Sequence, residues 1–234
     1  MRKLPIYLLI DTSDSMRGEP IESVRLGLRM LVSALRKDPQ AIETAYLSIV
    51  TFGGNAEQIL PLTELAEFDI PKFEVGGERM LGSALNLVCG CWRNDIEHGM
   101  ENRKGDFCPM VFILTDGVPA DEVEFAIKEF RGVQWGAAVS CAVGPGADKQ
   151  LLDKITPGCV VELATSDQAL LASYFKWATE RPSLSKPEAH EASARKWTGE
   201  YFKCQSCGEI YAYTLCCCPH CGGECRKVEN LKRR

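Results

Sequence analysis

The sequence predicts an α/β protein built on a doubly wound, mostly parallel sheet, followed by a small cysteine-rich module. Three observations predict it. Short, continuously apolar runs such as "IYLLI" and "VFILT" alternate with longer stretches whose apolar residues recur at helical spacing. Two of those runs stop at an aspartate, Asp11 and Asp116. Seven of the 12 cysteines crowd between Cys204 and Cys225.

"IYLLI" reads as a strand buried on both faces. "IESVRLGLRMLVSAL" sets Ile21, Val24, Leu28, Leu31, Val32 and Leu35 on one helical stripe. "AYLSIVTF" is a strand ending at Gly53 and Gly54. "AEQILPLTEL" is a further strand, and its Pro61 favours an edge. "LGSALNLVCGCW" is helical, and "PMVFILTDG" is an apolar strand. "DEVEFAIKEF" is a helix whose acidic first turn suits the helix dipole. "WGAAVSCAVG" is a strand, "KQLLDKI" a short helix and "CVVELA" a strand. "DQALLASYFKWATE" is a helix with Asp167 at its N-cap. These elements make a first domain over residues 1–180. Residues 181–199, with two prolines, several Ser and Ala and weak periodicity, form a linker, and residues 200–234 form the cysteine module.

Composition narrows the function. The chain has 234 residues and a net charge of -5, which argues against a protein that grips nucleic-acid phosphates with a basic face. No apolar stretch approaches the roughly 20 residues that cross a bilayer. The start, "MRKLPIYLLID", is basic then apolar, but Asp11 interrupts it and no small-residue cleavage site follows. The expectation is a cytoplasmic protein with no membrane partner. The scattered Cys89, Cys91, Cys108, Cys141 and Cys159 lie in apolar contexts and are expected to pack as small hydrophobes.

In open parallel sheets, ligands sit outside the carboxyl ends of the strands. Asp11, Ser13 and Ser15 leave one strand and Asp116 leaves another. If those strands are neighbours, two carboxylates and two hydroxyls share a cleft. That is a hard-oxygen set of the kind Mg²⁺, Mn²⁺ or Ca²⁺ prefers. The plainer alternative is a helix N-cap supplied by Asp14 or Ser15.

"LLIDTSDSM" and "FILTDG" resemble the two best-marked motifs of the von Willebrand factor A domain, a Rossmann-like fold with a metal-ion-dependent adhesion site. The resemblance covers about residues 3–180. It implies that Asp11, Ser13, Ser15 and Asp116 ligate a divalent cation, Mg²⁺ or Mn²⁺, directly or through water. One coordination position would be left for an acidic group of a partner. One position departs: where the family places a threonine before the second helix, "GGERMLGSAL" has Arg79. Arginine offers only donors and a fixed positive charge. It could bridge Asp11 and Asp116 in place of the metal, or point to solvent; a shifted alignment would bring Glu78 to the site instead.

The cysteine module contains Cys204-x-x-Cys207-Gly and Cys218-Pro-His-Cys221-Gly. Cysteines three apart bring two thiolates to one tetrahedral centre, and the following Gly208 or Gly222 permits the tight turn. Two such knuckles predict a closed structural Zn²⁺ site on Cys204, Cys207, Cys218 and Cys221. Ten residues separate Cys207 from Cys218, enough for a small hairpin through "EIYAYTL". Cys216, Cys217 and Cys225 are surplus, and His220 is expected to face outward.

An A domain followed by a short zinc ribbon is similar to the bacterial tellurium-resistance TerY family. That resemblance implies a non-enzymatic interaction or scaffold protein in a stress or tellurite-resistance-type system. It also implies a protein kinase and a PP2C-type phosphatase as partners, with Thr12, Ser13 and Ser15 as phosphorylation sites. Two alternatives stand beside it. One is a metal-dependent hydrolase using Asp11 and Asp116, and the other is a nucleic-acid-binding protein acting through the ribbon. Against an enzyme, the 3 histidines lie outside the strand-end motifs and no nucleophile elbow or P-loop is present.

Overall fold

The computed structural model describes residues 2–97, 105–144 and 146–163, and the backbone of residues 201–204, 210–211 and 225–228. Its first strand, β1 (Leu4–Ile10), lies at the centre of a 6-stranded sheet. The others are β2 (Ala45–Gly53), β3 (Asn55–Glu64), β4 (Met110–Thr115), β5 (Ala137–Val143) and β6 (Val160–Leu163), in the order β3-β2-β1-β4-β5-β6. All neighbours are parallel except β2 and β3, which pair antiparallel.

The apolar runs are continuous because both faces of the sheet are buried. Ile6, Leu8 and Ile10 pack with Val24, Leu28 and Leu31 of helix α1 (Glu19–Leu35). Tyr7 and Leu9, one residue out of phase, pack on the opposite face. There they meet Leu85 and Val88 of α3 (Leu81–Asp95), Phe130 of α4 (Glu124–Gly132) and Leu152 of α5 (Lys149–Ile155). Each such apolar side chain taken fully from water contributes about 1.5–3 kcal/mol. Cys89, Cys91 and Cys141 share these two cores, and burial pushes the Cys89 and Cys91 thiols up to about 11. Cys108 and Cys159 are only half-buried.

Pro61 sits in the edge strand, where a missing N–H costs no ladder bond on the outer side, and the β2–β3 register shifts nearby. A short helix, α2 (Pro39–Thr44), was not expected from periodicity. Its start is nevertheless written locally: Asp38 is the N-cap, accepting a hydrogen bond from Gln40 N at 2.9 Å, and Pro39 opens the first turn. Helix α4 begins at Glu124, later than the acidic run suggested. Gly90 lies inside α3, and a Cβ built there meets nothing within 4 Å. Gly90→Ala is therefore expected to stabilise the domain by about 1 kcal/mol, seen as a raised urea midpoint.

The helix expected over "DQALLASYFKWATE", the linker, and Cys207, Cys218 and Cys221 lie outside the described residues. In the C-terminal module, β7 (Tyr201–Cys204) pairs antiparallel with both β8 (Ile210–Tyr211) and β9 (Cys225–Val228).

Candidate functional site at the carboxyl ends of β1 and β4

Strands β1 and β4 are adjacent, with Ile10 opposite Leu114. From β1 the sheet is built outward in both directions, so this is the crevice where the strand order reverses. The Asp11 N–H donates to the Leu114 carbonyl at 3.0 Å, continuing the ladder one residue past β1. Asp11 and Asp116 therefore leave neighbouring strands at the same rim.

Asp11 is fully buried, and four protein donors converge on its carboxylate. Its Oδ1 accepts from Ser13 N at 2.9 Å and Ser13 Oγ at 2.6 Å. The backbone bond is an Asx-type turn, which explains locally why aspartate is followed two residues later by serine. Its Oδ2 accepts from Thr115 Oγ1 at 2.6 Å and from Arg79 Nε. Ser15 lies 3.2 Å from Ser13 Oγ and donates to Asp116 Oδ1 at 2.9 Å. The N-cap alternative does not hold: α1 is capped by Gly18, at φ 88, and Asp14 pairs instead with Arg17 at 3.0 Å.

Arg79 closes the site. Its Nε donates to Asp11 and its Nη2 donates to Asp116 Oδ1. Nη2 also reaches Ser15 Oγ at 2.7 Å, and Nη1 donates to the Val118 carbonyl at 2.9 Å. The planar fork spends all three nitrogens on oxygens already fixed by the two strand ends. Its side chain is only 12% exposed, so these are charge-assisted bonds largely withdrawn from water.

Backbone geometry brings Arg79 there. Two diglycine segments cross at the strand rim. Gly76 N donates to the Thr12 carbonyl at 2.9 Å, Asp14 N to the Gly77 carbonyl at 3.1 Å, and Gly54 N to the Glu78 carbonyl at 2.7 Å. Arg79 itself bridges to Gly53. The crossing tolerates no side chain at Gly53 or Gly77: a Cβ on Gly77, already at φ 79, would lie 2.5 Å from the Gly54 Cα. Gly117 makes a second such contact. A Cβ there would lie 2.3 Å from Arg79 Nη1, so the guanidinium rests against bare backbone.

All of Asp11, Ser13, Ser15, Asp116 and Arg79 thus converge. Glu78 does not join them; it is exposed, and its carbonyl serves Gly54. Sequence reasoning missed Thr115, Gly117 and the crossing glycines as parts of the site. Asp121 was missed too. It caps α3 from a distant loop, accepting from Gly82 N at 3.0 Å and Ser83 N at 2.7 Å. The "TDG" triplet held the first two signals, and the paired Gly53-Gly54 and Gly76-Gly77 held the third.

The oxygens of Asp11, Ser15 and Asp116 are those a divalent ion would take. Here each accepts a hydrogen bond from a guanidinium that cannot lose its charge. In this arrangement the residues do not fit a divalent ion.

Comparison with known proteins agrees with the fold. No curated protein matches the chain. Among solved structures, proximal thread matrix protein 1 from the mussel byssus is 17% identical, with a TM-score of 0.57 over 76% of this chain and 47% of that one. A form of that protein with a zinc-occupied metal-ion-dependent adhesion site is 16% identical, at TM-score 0.56 over 76% of this chain and 47% of that one. The pilus adhesin SpaC from Lactobacillus rhamnosus GG is 12% identical, at TM-score 0.58 over 76% of this chain and 31% of that one. The chain thus spans less than half the length of these structures. The von Willebrand factor type A domain matches residues 6–175, well over half of the sequence, and the chain belongs to that family.

Proposed function

We propose that this protein is a non-enzymatic interaction module that seats a protein partner over the strand-end site. Domains of this family commonly mediate protein–protein interaction or adhesion. The observation that carries the reading is the convergence of Ser15, Asp116 and Arg79 at one rim, beside Val118, which is 60% exposed. A hydrolytic reading has less support, because the Asp11 carboxylate is fully buried and already accepts four hydrogen bonds. A general base needs a free lone pair within reach of water.

The resemblance to the TerY family supports a finer reading: a cytoplasmic scaffold in a bacterial stress or tellurite-resistance-type system, regulated by a protein kinase and a PP2C-type phosphatase. Of the three hydroxyls offered for phosphorylation, Thr12 and Ser13 are buried and Ser15 is exposed, which favours Ser15. A phosphate on Ser15 would set more negative charge beside Asp116 and compete for the Arg79 fork. Binding of the purified kinase and phosphatase to the immobilised chain tests the reading. Capture should be weakened by Val118→Glu and by Ser15→Glu. Capture unchanged by both would place the partner elsewhere.

The C-terminal module is proposed as a zinc ribbon with Cys204, Cys207, Cys218 and Cys221 as ligands, serving docking rather than nucleic-acid binding. Its support is the pair of knuckles in the sequence, and antiparallel β7, β8 and β9 suit a ribbon. A unit this small draws much of its folding energy from the metal. A strong zinc chelator is expected to unfold residues 200–234 while leaving the thermal transition of the A domain in place. Calorimetry before and after chelation, with zinc released per chain counted, checks this.

A further inference from the structure

We infer that Arg79 is the resident cation of the adhesion site, so that the chain assembles its strand-end cluster without a divalent ion. The inference does not depend on which partner binds. Four observations converge on it. The guanidinium donates to Asp11, Ser15 and Asp116, three of the four residues that would ligate the ion. Its remaining nitrogen is held by the Val118 carbonyl. Gly117 leaves the space the guanidinium fills, and the Gly53–Arg79 bridge fixes the backbone that delivers it. A divalent ion could enter only by expelling this side chain, breaking its bonds to both carboxylates, and arginine cannot make way by deprotonation.

The consequence concerns recognition. A bound metal would offer an open coordination position to a partner's carboxylate. Arg79, a donor only, offers no coordination position, and four of its five N–H donors are already engaged within the chain. One guanidinium also faces two carboxylates, so the cluster keeps a net negative charge. A partner must then be held by Ser15, the exposed edge of Asp116 and the apolar Val118, and its binding should be indifferent to chelators of Mg²⁺.

Mn²⁺ titration of the full chain, followed by the loss of the free-ion paramagnetic resonance signal, tests this. Wild type, Asp11→Asn, Arg79→Thr and the double variant Arg79→Thr/Asp11→Asn are compared. Wild type should match Asp11→Asn, whereas Arg79→Thr should take up one additional ion per chain, lost again in the double variant. If Arg79→Thr folds only when Mn²⁺ is present, seen by circular dichroism, that also supports the inference. Uptake of one ion by wild type that Asp11→Asn abolishes would overturn it. So would a folded Arg79→Thr that takes up no ion, and Arg79→Ala serves as the second variant if the threonine is not tolerated.

Discussion

Arg79→Ala is expected to destabilise the A domain by about 3–5 kcal/mol, the usual cost of removing one partner from a buried ion pair. For a domain of this size that is a fall in Tm of about 10 °C. The loss is large because of what stays behind. Asp11 is fully buried and loses its one charged partner among the described residues, while Asp116, partly exposed, can turn part of its charge to water. The interaction is not additive with Asp11. The double variant Arg79→Ala/Asp11→Ala should therefore be more stable than the sum of the singles predicts, by about 1 kcal/mol or more. Urea denaturation of the four proteins measures it. Equal, small losses in both singles with no coupling would mean that the guanidinium is a surface ornament. In Arg79→Thr, added Mn²⁺ should recover part of the loss, since a ligand at 100 times its Kd stabilises by about 2.7 kcal/mol.

Gly53→Ala should cost about 3 kcal/mol, at the upper end for overpacking, although it adds a single methyl group. The new Cβ would lie 2.2 Å from the Thr12 carbonyl oxygen and 2.8 Å from that of Gly76. Neither is a flexible side-chain end. Thr12 links Asp11 to Ser13, and its carbonyl accepts the Gly76 N–H that ties down the Arg79 loop. Relief of the clash must therefore move the β1 rim, the Arg79 loop, or both. The variant should lower the urea midpoint and weaken capture of a partner that docks at the rim. Gly90→Ala, the same substitution into open space, should move the midpoint the other way. A neutral Gly53→Ala would show that the two diglycine segments do not need their close approach.

The contrast between these glycines shows what could be read in the sequence. Strands β1 and β4 were legible because both faces are buried, which leaves continuous apolar runs ended by aspartate. The edge position of β3 was legible from Pro61. Asp11, Ser13, Ser15 and Asp116 were legible as a set because each follows a strand end at short range. Arg79 was visible as a departure, but its direction was not. Whether an arginine turns inward depends on Gly53, Gly54, Gly76, Gly77 and Gly117, and those contacts join segments far apart in the chain. Asp121 capping α3 was hidden for the same reason: the cap comes from a residue 38 positions from Ser83. Helix α2 escaped because six residues are too few to show a period, although Asp38-Pro39 marked its start.

Whether Arg79 or a metal holds the two carboxylates is tested most directly by a crystal structure of the wild-type chain grown in millimolar MnCl₂, with an anomalous difference map at the manganese edge. No anomalous peak is expected between Asp11 and Asp116, with continuous density for the Arg79 guanidinium bridging the two carboxylates. A manganese peak ligated by Asp11, Ser13 or Ser15, with Arg79 turned out to solvent, would contradict that expectation.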